Sequence, residues 1–349
     1  MLLCRWGTLR GTRAHQAGVA IAPRVLTGRR RSNKWEGEER MDSAHGASGE
    51  PRAPVPERAV TAGAVQCGRS VVAGPAALAD DLMHLVATGY TAAELVMDTL
   101  QCVLGGRLVE RTVEHVAHTC AAYPRLSYSV HAPAVLDLRD QQHPAIHRAI
   151  LRSSVRFAGA IGARVLVVHF EAHSDRRRVE EAYRTAIDEA ADLAGRHEVI
   201  LGIENIEVER TERVVEFVEA LQHPWVRMTY DFAHDYLAAD YFGYDHISSA
   251  CACASYAAHL HLTDNFGRFN LARLDDFAIY RPTPHANVAI MGLGDLHLPL
   301  GWGSLPARDV YRCFAERGYT GLLISEHDRG VYAHADEQVC RDLLALTTR

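Results

Sequence analysis

The chain has 349 residues, 48% hydrophobic and 23% charged, which is ample apolar material for a sizeable core, and no run reaches the roughly 18 apolar residues of a membrane helix. Its net charge of −6 is unevenly spread: residues 1–60 carry eleven basic against six acidic side chains, leaving 26 basic and 37 acidic in 61–349. An acidic body repels a polyphosphate backbone, which argues against nucleic acid as a partner.

Residues 1–35 contain no acidic side chain and run through Arg29, Arg30 and Arg31, like a mitochondrial presequence without its amphipathic helix. Residues 36–57 have the Gly/Ser/Pro/Glu composition of a linker. The expectation is a disordered basic extension and linker over 1–60, with Met41 an alternative start, and a folded body over 61–349.

From Ala64 onward, short β-branched runs alternate with longer helical patterns. Strands are predicted at 64–71, 91–97, 126–131, 164–170, 199–205, 226–231, 258–263 and 321–326. Helices are predicted at 76–88, 107–122, 144–162, 175–196, 211–222, 307–317 and about 334–346, where apolar residues recur at helical spacing. Nearly all-apolar strands, each followed by an amphipathic helix, indicate a parallel sheet covered by helices. Eight such units closing on themselves give a single (β/α)₈ barrel, and no GxGxxG follows an early strand to suggest a dinucleotide fold. Two connections are long, 232–257 and 266–296. Long loops at the C-terminal rim usually close over substrate or set specificity. The eight cysteines include no CxxC pair and read as reduced, mostly buried thiols of a cytoplasmic protein.

Polar residues gather at the predicted strand ends: His131, His169, Glu204 with Asn205, Asp231 with His234, then His259, His261 and Asp264, with Asp295 and His297 in the following loop, and Glu326. Singly, each has a plain structural explanation, as a hydrogen-bonded histidine or a helix N-cap. In a closed barrel, however, every strand's C-terminal end points to one rim, so the set converges on one pocket. So many carboxylates and imidazoles cannot share a low-dielectric pocket as free ions, and a divalent cation resolves the conflict. Mixed carboxylate and imidazole donors suit Zn²⁺, Mn²⁺, Fe²⁺ or Co²⁺, and the lack of thiolates argues against a structural zinc site.

The motifs Gly-Ile-Glu204-Asn205, Tyr-Asp231-Phe-Ala-His234, His259-Leu-His261-Leu-Thr-Asp264-Asn265-Phe-Gly, His297-Leu-Pro299-Leu-Gly301-Trp-Gly303 and Ile-Ser-Glu326 resemble the xylose isomerase-like barrel superfamily. That superfamily includes sugar isomerases and epimerases, inosose dehydratases and endonuclease IV, and the resemblance spans about 64–330. It implies that Glu204, Asp231, His261 and Glu326 hold a divalent metal (Mn²⁺, Co²⁺, Zn²⁺ or Mg²⁺). It further implies that Glu204 and Glu326 pass a proton across a small sugar or polyol, phosphorylated or not, while the metal stabilises the enediolate. His234 is implied to contact a substrate hydroxyl.

The same residues also match the endonuclease IV pattern. On that reading His131, His169 and Glu204 form one zinc site, His234, Asp295 and His297 another, and Asp231, His261 and Glu326 complete a third that shares Glu204, for up to three Zn²⁺. The acidic barrel and the Ala-Pro-Ala that follows His131 depart from a DNA-repair enzyme, and the strand-seven signature is similar to the isomerase branch. Of the two readings the isomerase or epimerase is preferred, with a phosphodiester hydrolase acting on a small molecule as the rival. A homo-oligomer is compatible with both. Gly301-Trp302-Gly303 is either a plain tight turn or a place where backbone approaches ligand, and Arg268 is either a phosphate contact or solvated.

Overall fold

The computed structural model describes residues 64–275 and 289–348, so the expected extension, with Met41 and Cys4, lies outside the described residues. Every predicted strand forms: β1 (Gln66–Val71), β2 (Ala92–Val96), β5 (Ser127–His131), β6 (Val165–His169), β7 (Ile200–Glu204), β8 (Val226–Asp231), β9 (Ala257–Leu262) and β10 (Leu322–Ser325). All pair in parallel, and β1 bonds to both β2 and β10, closing the barrel. The chain is a (β/α)₈ barrel.

One expected helix begins late. The stretch predicted as helical from 107 opens instead with a small antiparallel hairpin, β3 (Val103–Leu104) and β4 (Arg107–Leu108), and the helix runs Glu110–Ala121. Gly105 and Gly106 make the turn with φ of 55° and 75°, a conformation that costs glycine little and forces the chain back on itself. The 232–257 connection is itself helical, with segments Phe232–Phe242 and His246–Cys253. The first is capped by the strand-end Asp231, whose Oδ1 accepts from the His234 amide at 2.7 Å. Of the 266–296 connection, a short turn of helix at Ala272–Asp275 is described, and residues 276–288 are outside the described set.

Alternation along the strands makes two cores. Outward residues such as Leu95, Val130, Leu166, Ile203, Tyr230 and Leu323 join the helices in one large apolar core. Inward residues form two small apolar clusters, Ala92 with Leu322 and Ile324, and Val165 with Val167 and Ile200. The rest of the interior is polar: Glu94, Ser129, Thr229 and His259 are all buried there.

The cysteines are not all reduced. Helices His246–Cys253 and Ala307–Glu316 pack side by side and bring Cys251 within a Cα separation of 4.7 Å of Cys313, to which it is disulfide-bonded. The pair is 62 residues apart in sequence, so no local spacing announces it. Cys67, Cys102, Cys120, Cys253 and Cys340 are buried free thiols, as expected. Among the described residues, no helix is long and apolar enough to cross a membrane.

Candidate metal centre

His131, His169, Glu204, Asp231 and His261 fall on the inward parity at the ends of their strands, and Glu326 follows β10 directly. The register aligns His169 with Glu204 and Asp231 with His261, so donors from neighbouring strands stand at one height. Glu204, Asp231, His261 and Glu326 each turn one donor atom into a group within 4.8 Å of one another. At its middle, His261 Nδ1 lies 2.6 Å from Glu204 Oε1, 3.2 Å from Glu326 Oε2 and 4.0 Å from Asp231 Oδ2.

A second group, His131, His169 and Glu204, adjoins the first and shares its glutamate. His131 Nε2 and His169 Nε2 are 3.1 Å apart, and each stands about 3.5 Å from Glu204 Oε2. His234, Asp295 and His297 do not form a third such group. His234 Nδ1 pairs with Glu207 Oε2 at 2.9 Å, while Asp295 Oδ2 pairs with His297 Nε2 at 2.7 Å. His297 is held in the left-handed region, φ 45°, and its Nδ1 lies 2.8 Å from the Glu326 carbonyl.

The electrostatics show how much positive charge this rim needs. Burial opposes ionisation of Glu204, yet His261 and His131 hold its carboxyl well below the usual range. Burial lifts Asp231 to about 7, with His234 opposing and Glu204 reinforcing the rise. Burial likewise opposes the His131 charge, but Glu204 beside it raises its pKa to about 9. Protonated imidazoles therefore balance the carboxylates where a cation can do the same with neutral rings. Glu204 Oε2 is also buried without a hydrogen-bond partner, an orphan acceptor that fits a cation. Three carboxylates and an imidazole form a hard-to-borderline donor set, suited to Mg²⁺, Mn²⁺, Co²⁺ or Zn²⁺.

Two residues of the site escape the strand-end pattern. Glu94 lies one inward layer lower, on β2, fully buried, 2.9 Å from His261 Nε2. The signal for it is a lone acid in the otherwise apolar run Ala-Ala-Glu-Leu-Val. Glu207 lies in the loop after β7, where it takes Arg273 Nε at 2.6 Å on its other oxygen, and nothing local in the sequence marks it. Asp264, grouped in sequence with the ligands, instead clips backbone. Its Oδ2 accepts from Gly301 N at 2.9 Å, and its Oδ1 accepts from Leu305 N at 3.0 Å and Asn265 N at 2.9 Å. Gly301 turns with φ 86°, and a Cβ on Gly303 would meet Asp264 and the Asn265 carbonyl, so this segment is a turn built around Asp264.

Comparison with known proteins places this geometry in a family. A family model described as Xylose isomerase-like TIM barrel matches residues 83–347. No curated protein sequence matches the chain. Among solved structures, a xylose isomerase-like TIM barrel protein from Mycobacterium smegmatis in complex with magnesium superposes with a TM-score of 0.60 at 16% identity, covering 81% of this chain and 98% of that one. A D-tagatose 3-epimerase-like protein gives 0.58 at 16% identity, over 80% of this chain and 96% of that one. A D-allulose 3-epimerase from Methylomonas sp. in complex with D-allulose gives 0.57 at 12% identity, over 82% and 98%. At these identities the superpositions establish the shared fold, and the family match extends through most of the barrel: the chain belongs to the xylose isomerase-like TIM barrel family.

Proposed function

We propose that the protein is a divalent-metal-dependent isomerase or epimerase of a small sugar or polyol. The observation that carries the reading is the convergence of Glu204 and Glu326 on one atom, His261 Nδ1, at 2.6 and 3.2 Å. Glu204, Asp231, His261 and Glu326 would hold the cation, which supplies, when bound, a positive charge where an oxyanion develops. Glu204 ends β7 and Glu326 follows β10, three strands further around the barrel, so they reach the shared position from different directions. Two carboxylates so placed can face a substrate carbon from two sides, one removing a proton and the other returning it. His234, anchored through Nδ1 by Glu207, keeps Nε2 for a substrate hydroxyl. A solved D-allulose 3-epimerase of the same fold holds D-allulose, which supports the same substrate class.

One observation favours a second reading, metal-dependent hydrolysis of a small phosphodiester. His131, His169 and Glu204 form an additional donor group that proton transfer does not require. The two readings separate when protein loaded with Mn²⁺ or Co²⁺ is incubated in D₂O with a panel of ketoses and inososes and, in parallel, with an activated phosphodiester. Deuterium appearing beside the sugar carbonyl, absent in Glu326→Gln, is the expected result. Phosphodiester cleavage without any exchange would establish the hydrolase instead.

A further inference from the structure

We infer that Glu94 is a positioning residue for the metal centre. It fixes the His261 ring so that Nδ1 faces the cation and Nε2 keeps its proton. The inference rests on the metal-dependent reading above and adds a residue to it.

Glu94 occupies the inward position at the middle of β2, with no exposed surface. A valine or leucine would fill that space without desolvating a charge, so a carboxylate there needs partners that repay its burial. All its neighbours belong to the interior beneath the rim. Its Oε2 accepts from Ser129 Oγ at 2.9 Å and stands 3.3 Å from His259 Nε2. Its Oε1 stands 2.9 Å from His261 Nε2. Ser70 Oγ lies between this carboxylate and the rim, 3.4 Å from Glu94 Oε1 and 3.3 Å from Glu326 Oε1.

The chemistry of imidazole supplies the rest. A ring binds a metal through a deprotonated nitrogen, and the nitrogen of His261 that faces Glu204, Asp231 and Glu326 is Nδ1. The proton then has to sit on Nε2, which is buried with Glu94 Oε1 2.9 Å away. Glu94 is the acceptor placed for it. A carboxylate behind a ligating histidine selects the tautomer, holds the ring plane and strengthens the ligand, and its removal typically weakens metal binding by about 10–100-fold.

The test titrates Co²⁺ calorimetrically into the full chain after chelator treatment, comparing wild type, Glu94→Gln and Glu94→Asp. Glu94→Gln is expected to bind Co²⁺ about 10–100-fold more weakly at unchanged stoichiometry, with Glu94→Asp recovering part of the affinity. The metal-free melting temperature of Glu94→Gln is expected to fall somewhat, since the His261 ring loses its buried partner, so the metal affinity carries the test. Unchanged affinity with a lowered metal-free melting temperature would mean a purely structural role and overturn the inference. Loss of a whole metal equivalent would make Glu94 a ligand and overturn it as well. A wild type that binds no Co²⁺ would sink the metal reading itself, and this inference with it. Should Glu94→Gln fail to fold, histidine ¹⁵N resonances of the Zn²⁺-loaded wild type decide the matter. Metal on Nδ1 and a proton on Nε2 of His261 are expected, and the reverse tautomer would refute the assignment.

Discussion

Glu207 Oε2 lies 2.9 Å from His234 Nδ1, and the same carboxylate accepts from Arg273 on its other oxygen at 2.6 Å. The imidazole that a third metal site would share with Asp295 and His297 is thus paired with a carboxylate in the loop after β7. Glu207 is held well below the usual carboxylate range, against its burial, by the neighbouring His234 and Arg273 charges. Among the described residues the rim offers two donor groups that share Glu204, and a third, Glu94 with His259 and His261, lies beneath them and shares His261.

Metal content follows from that sharing. Protein saturated with Mn²⁺ or Zn²⁺ and freed of excess metal should hold about one ion per chain, and no more than two. Elemental analysis by mass spectrometry measures this directly. Three firmly held zinc ions would revive the trinuclear hydrolase.

Asp295→Ala should leave the metal content unchanged, since Asp295 pairs with His297 rather than with the shared group. Its effect should fall on His297. Burial opposes the charge on that ring, but Asp295 raises its pKa to about 10 from an ordinary 6.5. Without the carboxylate the value should drop, so that His297 becomes neutral at a lower pH. Histidine NMR across a pH titration reads this, and a His297 that still titrates near its former value would contradict the pairing.

Arg69, only 1% exposed, holds Asp81 at 2.6 Å and Asp336 at 3.1 Å on the outer side of β1. Arg69→Met should cost about 1–3 kcal/mol, because it removes one buried partner of Asp81 and Asp336 and leaves them to Arg329, which reaches them at 2.6 and 3.3 Å. Urea unfolding at neutral pH measures the loss, and a cost below about 1 kcal/mol would refute it. The acid side carries a second signature. Despite burial, Arg69 helps to hold Asp336 below its ordinary 3.8. That stabilisation is present above the ordinary value and is lost as pH falls through the lowered one. Removing Arg69 should flatten this acid limb.

Gly202 sits on the inward side of β7, where an added Cβ would meet Thr229 Oγ1 and Val165 Cγ1. Both neighbours are buried and on adjacent strands, so they have little room to yield. Gly202→Ala should destabilise the barrel by about 1–3 kcal/mol in thermal or urea unfolding. A neutral effect would show that the interior is looser than its geometry indicates.

Much of this molecule can be read from residue order alone. The eight strands show as short, nearly all-apolar runs followed by helical patterns, and closure into a barrel brings the polar ends at His131, His169, Glu204, Asp231 and His261 to one rim. Pairings that depend on depth or on distant packing do not. Glu94 looks like one acid among apolar residues until barrel closure puts it under His261. Glu207 finds Arg273 across 66 residues, and Cys251 finds Cys313 only because two helices pack together. Asp264 reads as a possible ligand by position, but its oxygens go to the amides of a turn 37 residues on.

That turn settles how the 266–296 connection is anchored. Asp264 and Leu298 exchange both backbone hydrogen bonds, Asn265 accepts from Ser304, and the Asp264 carboxylate holds Gly301 and Leu305. The path thus departs and returns at one clasp just beyond β9, whose geometry owes nothing to the length of chain between. Doubling the enclosed length would add only about 0.6 kcal/mol of closure entropy. Apart from Arg273 and Asp295, which serve Glu207 and His297, sequence in that interval is accordingly free to diverge while His261 and Glu326 keep their places. A barrel fastened in this way can vary that connection without moving the donors at its rim.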